Sequence, residues 1–213
     1  MNQNHKSEKK YTLQWMTGTA LMIAITLVLA NTPLGRITMP FLTATTLHIP
    51  VIISTLFLGW EAGVLTGLTF GVHSLISNLT GVSFFAPFFI NPLVSVLPRV
   101  LFPLCVYGLY KVCTALLGRF SKGHAVSLVL ASAAGTALHT TMVMGMIALL
   151  YGARIQSMLE SGLGVPDAVA SHGVYAGIAA MGVTNGVPEM IVAAVIAPVI
   201  VLALEKALGR SVK

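Results

Sequence analysis

The side chains of this chain that could do chemistry stand almost alone among apolar neighbours. They are His48, His73, Asn78, Asn91, Arg99, His139, Asn185 and Glu189. An arginine offers a planar fork of donors that suits a carboxylate or phosphate. Histidine and asparagine can each donate and accept, and a glutamate accepts hydrogen bonds or carries a proton. Thr45, Thr46, Phe84, Phe85 and Phe88 fall in the connections beside them and are candidates to cap a pocket. Ligand sites are mostly apolar with a few placed polar groups, and this mixture has that character. The same residues could instead satisfy one another, for example Arg99 with Glu189, and only hold a bundle together.

The elements that position these groups follow from composition. Of 213 residues, 56% are hydrophobic and 8% are charged. A soluble domain carries roughly 25% charged residues, so this chain cannot cover a water-facing surface. About 20 apolar residues span a bilayer core as a helix. The sequence therefore predicts an all-α polytopic membrane protein with six transmembrane helices. A cytoplasmic tail occupies residues 1–11 and a single transmembrane substrate-binding domain occupies 12–213. Helices are expected over about 13–30, 44–58, 92–117, 125–151 and 174–208, the last interrupted near Asn185-Gly186-Val187-Pro188, and a further helix follows the tight turn Gly59-Trp60-Glu61-Ala62-Gly63 and ends near Leu79. Residues 31–43 and 80–91 read as loops, and 152–173 as a polar connection with a short surface helix. The basic start resembles a signal peptide, but the apolar core exceeds the ~7–15 residues typical of one, so a retained helix is expected.

Cytoplasmic loops are enriched in Lys and Arg. Six spans place Lys6, Lys9, Lys10, Lys111, Arg119, Lys122, Lys206, Arg210 and Lys213 on one side and Arg36, Arg99 and Arg154 on the other. Both termini are thus expected in the cytoplasm, at the inner membrane of a bacterial cell. In that orientation His48, His73, Asn78, Asn91, Arg99, Asn185 and Glu189 lie towards the outer half, with His139 near the middle, which predicts a pocket open to the exterior.

Several functions lack their signatures. There is no G-x-x-x-x-G-K-[ST] segment for a P-loop, no H-E-x-x-H zinc pair and no G-x-S-x-G elbow. His73 and Ser74 are neighbours on one helix and point apart, so they make no catalytic pair. Cys105 and Cys113 read as buried structural thiols. No cofactor or metal and no enzymatic or nucleic-acid-binding role is expected. Small residues recur at four-residue spacing in Gly59, Gly63, Gly67 and Gly71, and in Ala20 and Ala24. Such faces let helices approach closely. For the glycines packing inside the bundle is expected, whereas for the alanine pair internal packing and a partner helix both stay open. A binding pocket without an energy-coupling motif implies an engine on another subunit.

The ordered set of motifs resembles the substrate-binding S-components of energy-coupling factor (ECF) vitamin transporters. The resemblance rests on Ala20-Leu-Met-Ile-Ala24, Thr45-Thr-Leu-His-Ile-Pro-Val-Ile-Ile53, Leu58-Gly-Trp-Glu-Ala-Gly63 and Gly67-x-x-x-Gly71. It rests further on Asn91-Pro-Leu-Val-Ser-Val-Leu-Pro-Arg99 and Thr184-Asn-Gly-Val-Pro-Glu189. It spans 13–208 and is nearest to the subgroup with pantothenate-type members. Trp60 and Glu61 depart from the Pro-Lys pair expected in that turn. The resemblance implies outer loops that close over a bound vitamin, a membrane coupling subunit and two ATPase subunits as partners, and toppling of the S-component to release cargo. It also implies that Ala20 and Ala24 contact the coupling subunit. Pantothenate is the expected substrate, bound among Thr46, His48, Asn78, Asn91, Arg99, His139, Asn185 and Glu189, with other vitamins or precursors as alternatives. A different class, a stand-alone proton-coupled transporter, would use Glu189 with His139 and His73 as a relay.

Overall fold

The structure, a computed structural model, describes residues 13–39, 42–80, 85–161 and 167–209, without the side chains of 36–39, 42–44 and 167–168. Lys6, Lys9, Lys10, Arg210 and Lys213 of the charge count lie outside the described residues, as does Phe84.

Five helices are long and apolar enough to cross a membrane. The first, α1 (Leu13–Ala30), buries only Thr19 and Thr26. Their hydroxyls donate to the carbonyls one turn back, of Trp15 and Met22. The apolar residues of α1, such as Leu21, Val28 and Met16, are exposed. Polar side chains inside and apolar ones outside is the pattern that a lipid solvent selects.

The residues after α1 fold back as an antiparallel pair, β1 (Arg36–Met39) and β2 (Leu42–Thr45), in register Arg36 with Thr45. The 31–43 segment was expected as a loop. Its ladder delays the second helix, which begins at His48 and not near Ala44. Helix α2 (His48–Leu58) has 11 residues, about 16 Å at 1.5 Å per residue, too short to span a bilayer core alone. Every residue from His48 to Thr55 is buried. It packs against α1, against α3 (Trp60–Leu79) and against the helices described below. It is therefore the core helix of the bundle. Gly59, at φ 106°, makes the abrupt turn from α2 into α3, a conformation that L side chains rarely adopt.

Two short helices, α4 (Ala86–Phe89) and α5 (Pro92–Ser95), precede α6 (Leu97–Leu117). The expected 92–117 helix is thus broken at Val96, because Pro98 has no N–H to give the Val94 carbonyl. Helix α7 (Gly123–Glu160) has 38 residues and α9 (Val174–Ala207) has 34. These are about 57 and 51 Å long, well beyond a ~30 Å hydrocarbon core. Helix α7 runs nine residues past the expected end at Tyr151. That extension packs with α8 (Asp167–His172) and the start of α9 around a second apolar core, which includes Phe88, Ile147, Ile155, Val169 and Val174. The principal core, including Val51, Ile52, Phe70, Phe102, Val106 and Leu128, surrounds α2.

Helix α9 continues through Pro188 without the expected interruption. Gly182 and Gly186 lie directly on Met144 and Thr140 of α7, so the two helices pack closely beside the residue where one backbone bond is lost. At the opposite end Nε2 of His124 pairs with Glu205 at 3.0 Å, and Tyr110 approaches Nδ1 of the same ring at 3.3 Å, linking α6, α7 and α9.

Candidate functional site

The most unusual side chain is Arg99, only 6% exposed near the start of α6. The break at Pro98 explains how it is held. The Val94 carbonyl, deprived of its helical donor, accepts a hydrogen bond from Arg99 Nη1 at 2.7 Å. The guanidinium carbon lies 5.3 Å from the Phe70 ring centre and 5.2 Å from that of Phe89, within cation–π range. Glycines set the spacing. A Cβ on Gly67 would lie 2.2 Å from the Arg99 carbonyl oxygen, and one on Gly71 would lie 2.9 Å from Val96 Cα. The glycine stripe of α3 therefore packs onto the α5–α6 break, as expected for internal packing, although Gly59 belongs to the turn and not to the stripe. The Arg99 Nε is buried and has no hydrogen-bond partner among the described residues.

His139 stands on the inner face of α7. Gly135, one turn earlier, lets α7 press on Val106 of α6, which brings the imidazole to 4.9 Å from the Phe102 ring and 6.1 Å from that of Phe70. His48 is the first residue of α2 and is 1% exposed. Both ring nitrogens of His139 and of His48 are buried without a well-formed hydrogen bond among the described residues, those of His48 lying towards the backbone of Thr45 and Glu189. Arg99 and His48 both act electrostatically on His139, and Glu189 acts on both Arg99 and His48.

Glu189 closes the group from α9. Its Oε1 accepts from the backbone N–H of Thr45 at 2.7 Å and from the Thr45 hydroxyl at 2.8 Å. The expected alternative, an Arg99–Glu189 pair, is not formed. The one ion pair among the described residues is His124–Glu205. Four elements thus bring Arg99, His139, His48 and Glu189 into one buried cluster bordered by Phe70, Phe89 and Phe102. Buried polar atoms are nearly always hydrogen-bonded, so Arg99 Nε and four imidazole nitrogens in one place form a set of hydrogen-bonding groups suited to a polar ligand.

The other expected site residues have partners elsewhere. Asn78 donates to the Ser74 carbonyl of its own helix. Asn91 caps α5 by accepting from Leu93 N–H, and its amide donates to the Tyr151 hydroxyl at 3.1 Å. The Thr46 hydroxyl donates to the Leu34 carbonyl and fastens the base of the hairpin. Asn185 is half-buried one turn before Glu189, on the same side of α9. Phe70, Phe89, Phe102 and Tyr151 escaped the sequence reading, because an aromatic residue in an apolar run gives no sign of a polar neighbour. Ala20 and Ala24 are both exposed on α1, away from the packed interior.

Two surface grooves are separate from this cluster. One lies between α7 and α9, bordered by Thr140, Met144, Gly182 and Tyr175. The other lies where α1 meets α2 and the end of α9, bordered by Gly18, Phe57 and Leu204. Both are apolar and hold none of the four clustered residues.

Fold and cluster together define an all-α, multi-pass membrane protein with charged and polar groups gathered at its centre. Residues 14–201 match the family described as ECF transporter, substrate-specific component, and the chain belongs to that family. It is also 31% identical over 183 residues to the pantothenic acid transporter PanT of Lactococcus lactis subsp. cremoris, covering 78% of this chain and 80% of that one. The protein is accordingly the substrate-specific component of a transporter.

Proposed function

We propose that this protein captures pantothenate from outside the cell for an ATP-driven ECF importer. The observation that carries the reading is the buried Arg99, with an unpartnered Nε, beside the unpartnered nitrogens of His139 and His48. A carboxylate is the natural partner for such a guanidinium. Pantothenate has a carboxylate at one end, an amide in the middle and two hydroxyls at the other end. Arg99 takes the carboxylate, the two histidines supply and accept hydrogen bonds along the amide, and Glu189 accepts from the hydroxyls. The aromatic rings of Phe70, Phe89 and Phe102 enclose the apolar part. Similarity to a pantothenic acid transporter supports the same substrate.

The energy comes from elsewhere. A membrane coupling subunit and two ATPase subunits complete the importer, and the exposed Ala20 and Ala24 of α1 face the coupling subunit. The excess of Lys and Arg on one side supports a topology with both termini in the cytoplasm of a bacterial cell and the cluster towards the exterior. The test is uptake of radiolabelled pantothenate into proteoliposomes holding the full complex. Accumulation that needs both ATP and the partner subunits is expected. Accumulation by this chain alone, driven by a proton gradient, would contradict the assignment.

A further inference from the structure

The contact between Glu189 and Thr45 joins two features that have no obvious reason to meet. Glu189 lies on α9 and borders the polar cluster, while Thr45 is the last residue of β2, in the hairpin between α1 and α2. The two are 144 residues apart in sequence. Both donors of Thr45, the N–H and the hydroxyl, converge on the same oxygen, Oε1. A carboxylate offers about four lone-pair sites on two oxygens, and Oε2 accepts no hydrogen bond from a described residue. The backbone donor cannot rotate away, so the pair of bonds anchors Oε1 and leaves Oε2 unused by them. Meanwhile Thr46 bonds to Leu34 and Gly35, which locks the base of the hairpin to the Pro33–Gly35 turn that follows α1. His48, the first residue of α2, follows within one turn and lies in the field of Glu189.

We infer that Thr45 is a positioning residue. It clasps the β1–β2 hairpin to Glu189 over the cluster and holds Oε2 ready to accept hydroxyl or N–H donors of the ligand. The inference rests on reading the cluster as the substrate site, and it adds a selection rule. An acceptor held this way favours a ligand that is anionic at the Arg99 end and rich in donors at the other. A dicarboxylate of similar length would be rejected, because its second anion would meet Glu189. Hairpin closure and recognition of donors then depend on one carboxylate.

Two measurements on the purified full chain test this. The first is hydrogen–deuterium exchange without ligand, read over residues 36–45. Glu189→Leu is expected to speed exchange of this segment about tenfold while 48–58 stays protected, and Thr45→Val is expected to give a smaller effect of the same kind. Unchanged exchange in both variants would overturn the clasp. The second is calorimetry with pantothenate and with N-(3,3-dimethylbutanoyl)-β-alanine, which lacks both hydroxyls. Hydrogen bonds to charged groups are worth enough that Thr45→Val should weaken pantothenate binding about tenfold. The dideoxy analogue should change by less than about threefold and Thr45→Ser should restore wild-type affinity. Equal losses for the two ligands, or no loss for pantothenate, would overturn the positioning role. If the wild-type chain binds neither compound, the pantothenate reading fails, and the exchange measurement alone then decides whether the clasp exists.

Discussion

Arg99 has a structural duty and a free one. Nη1 replaces the donor that Pro98 lacks, while Nε is left without a partner among the described residues. A guanidinium buried this deeply costs several kcal/mol of desolvation, which the Val94 carbonyl and two aromatic faces offset only in part. An anionic ligand would supply the rest. Arg99→Ala should therefore weaken pantothenate binding about 10- to 100-fold, the range of a charge-assisted hydrogen bond. Pantothenol, in which an alcohol replaces the carboxylate, should lose less than about threefold. Calorimetry with both compounds decides, and equal losses would make Arg99 a purely structural residue. At this scale the sequence revealed much. Arg99, His48, His139 and Glu189 stood out because ionisable groups are rare in apolar segments, and the structure brings all four together. Asn78 and Asn91 stood out for the same reason, but their amides are used by a helix carbonyl and by a cap with a tyrosine contact. Residue type cannot separate those outcomes.

The elements show why the cluster can be so tight. Three glycine contacts set it: Gly67 and Gly71 on the α5–α6 break, Gly135 on Val106, and Gly182 with Gly186 on α7. Gly67→Ala puts a methyl group 2.2 Å from the Arg99 carbonyl oxygen. Neither helix can give way easily there, so a loss of roughly 1–3 kcal/mol is expected from overpacking. Gly108 has nothing within 4 Å of an added Cβ, and Gly108→Ala should leave thermal stability unchanged or slightly raised. Equal melting temperatures for the two variants would contradict this account of helix packing. Most helices were legible from apolar length and from Pro and Gly punctuation. The misreadings have physical causes. The β1–β2 ladder depends on pairing that short segments do not advertise, and tertiary contacts with α7 keep α9 helical through Pro188. The extension of α7 past Tyr151 is stabilised by an apolar core drawn from α4, α8 and α9, which no local window contains.

For the whole molecule, the two ends have different tasks. The cluster lies at the end that carries the hairpin and the α4–α5 segment, while α1 has an exposed face with Ala20 and Ala24 on it. If that face serves the coupling subunit, Ala20→Trp and Ala24→Trp should abolish uptake by the full complex and leave calorimetric binding within about twofold of wild type. Loss of binding in these variants would mean that the alanines serve the bundle itself. A chain that is by itself the capture device should carry its cargo through purification. Small molecules released from the detergent-purified chain would be identified by mass spectrometry, and calorimetry would follow with the compound found. Pantothenate is the expected compound, rebinding with nanomolar affinity and no ATPase present. A protein that carries nothing and binds neither pantothenate nor any other B vitamin would contradict it.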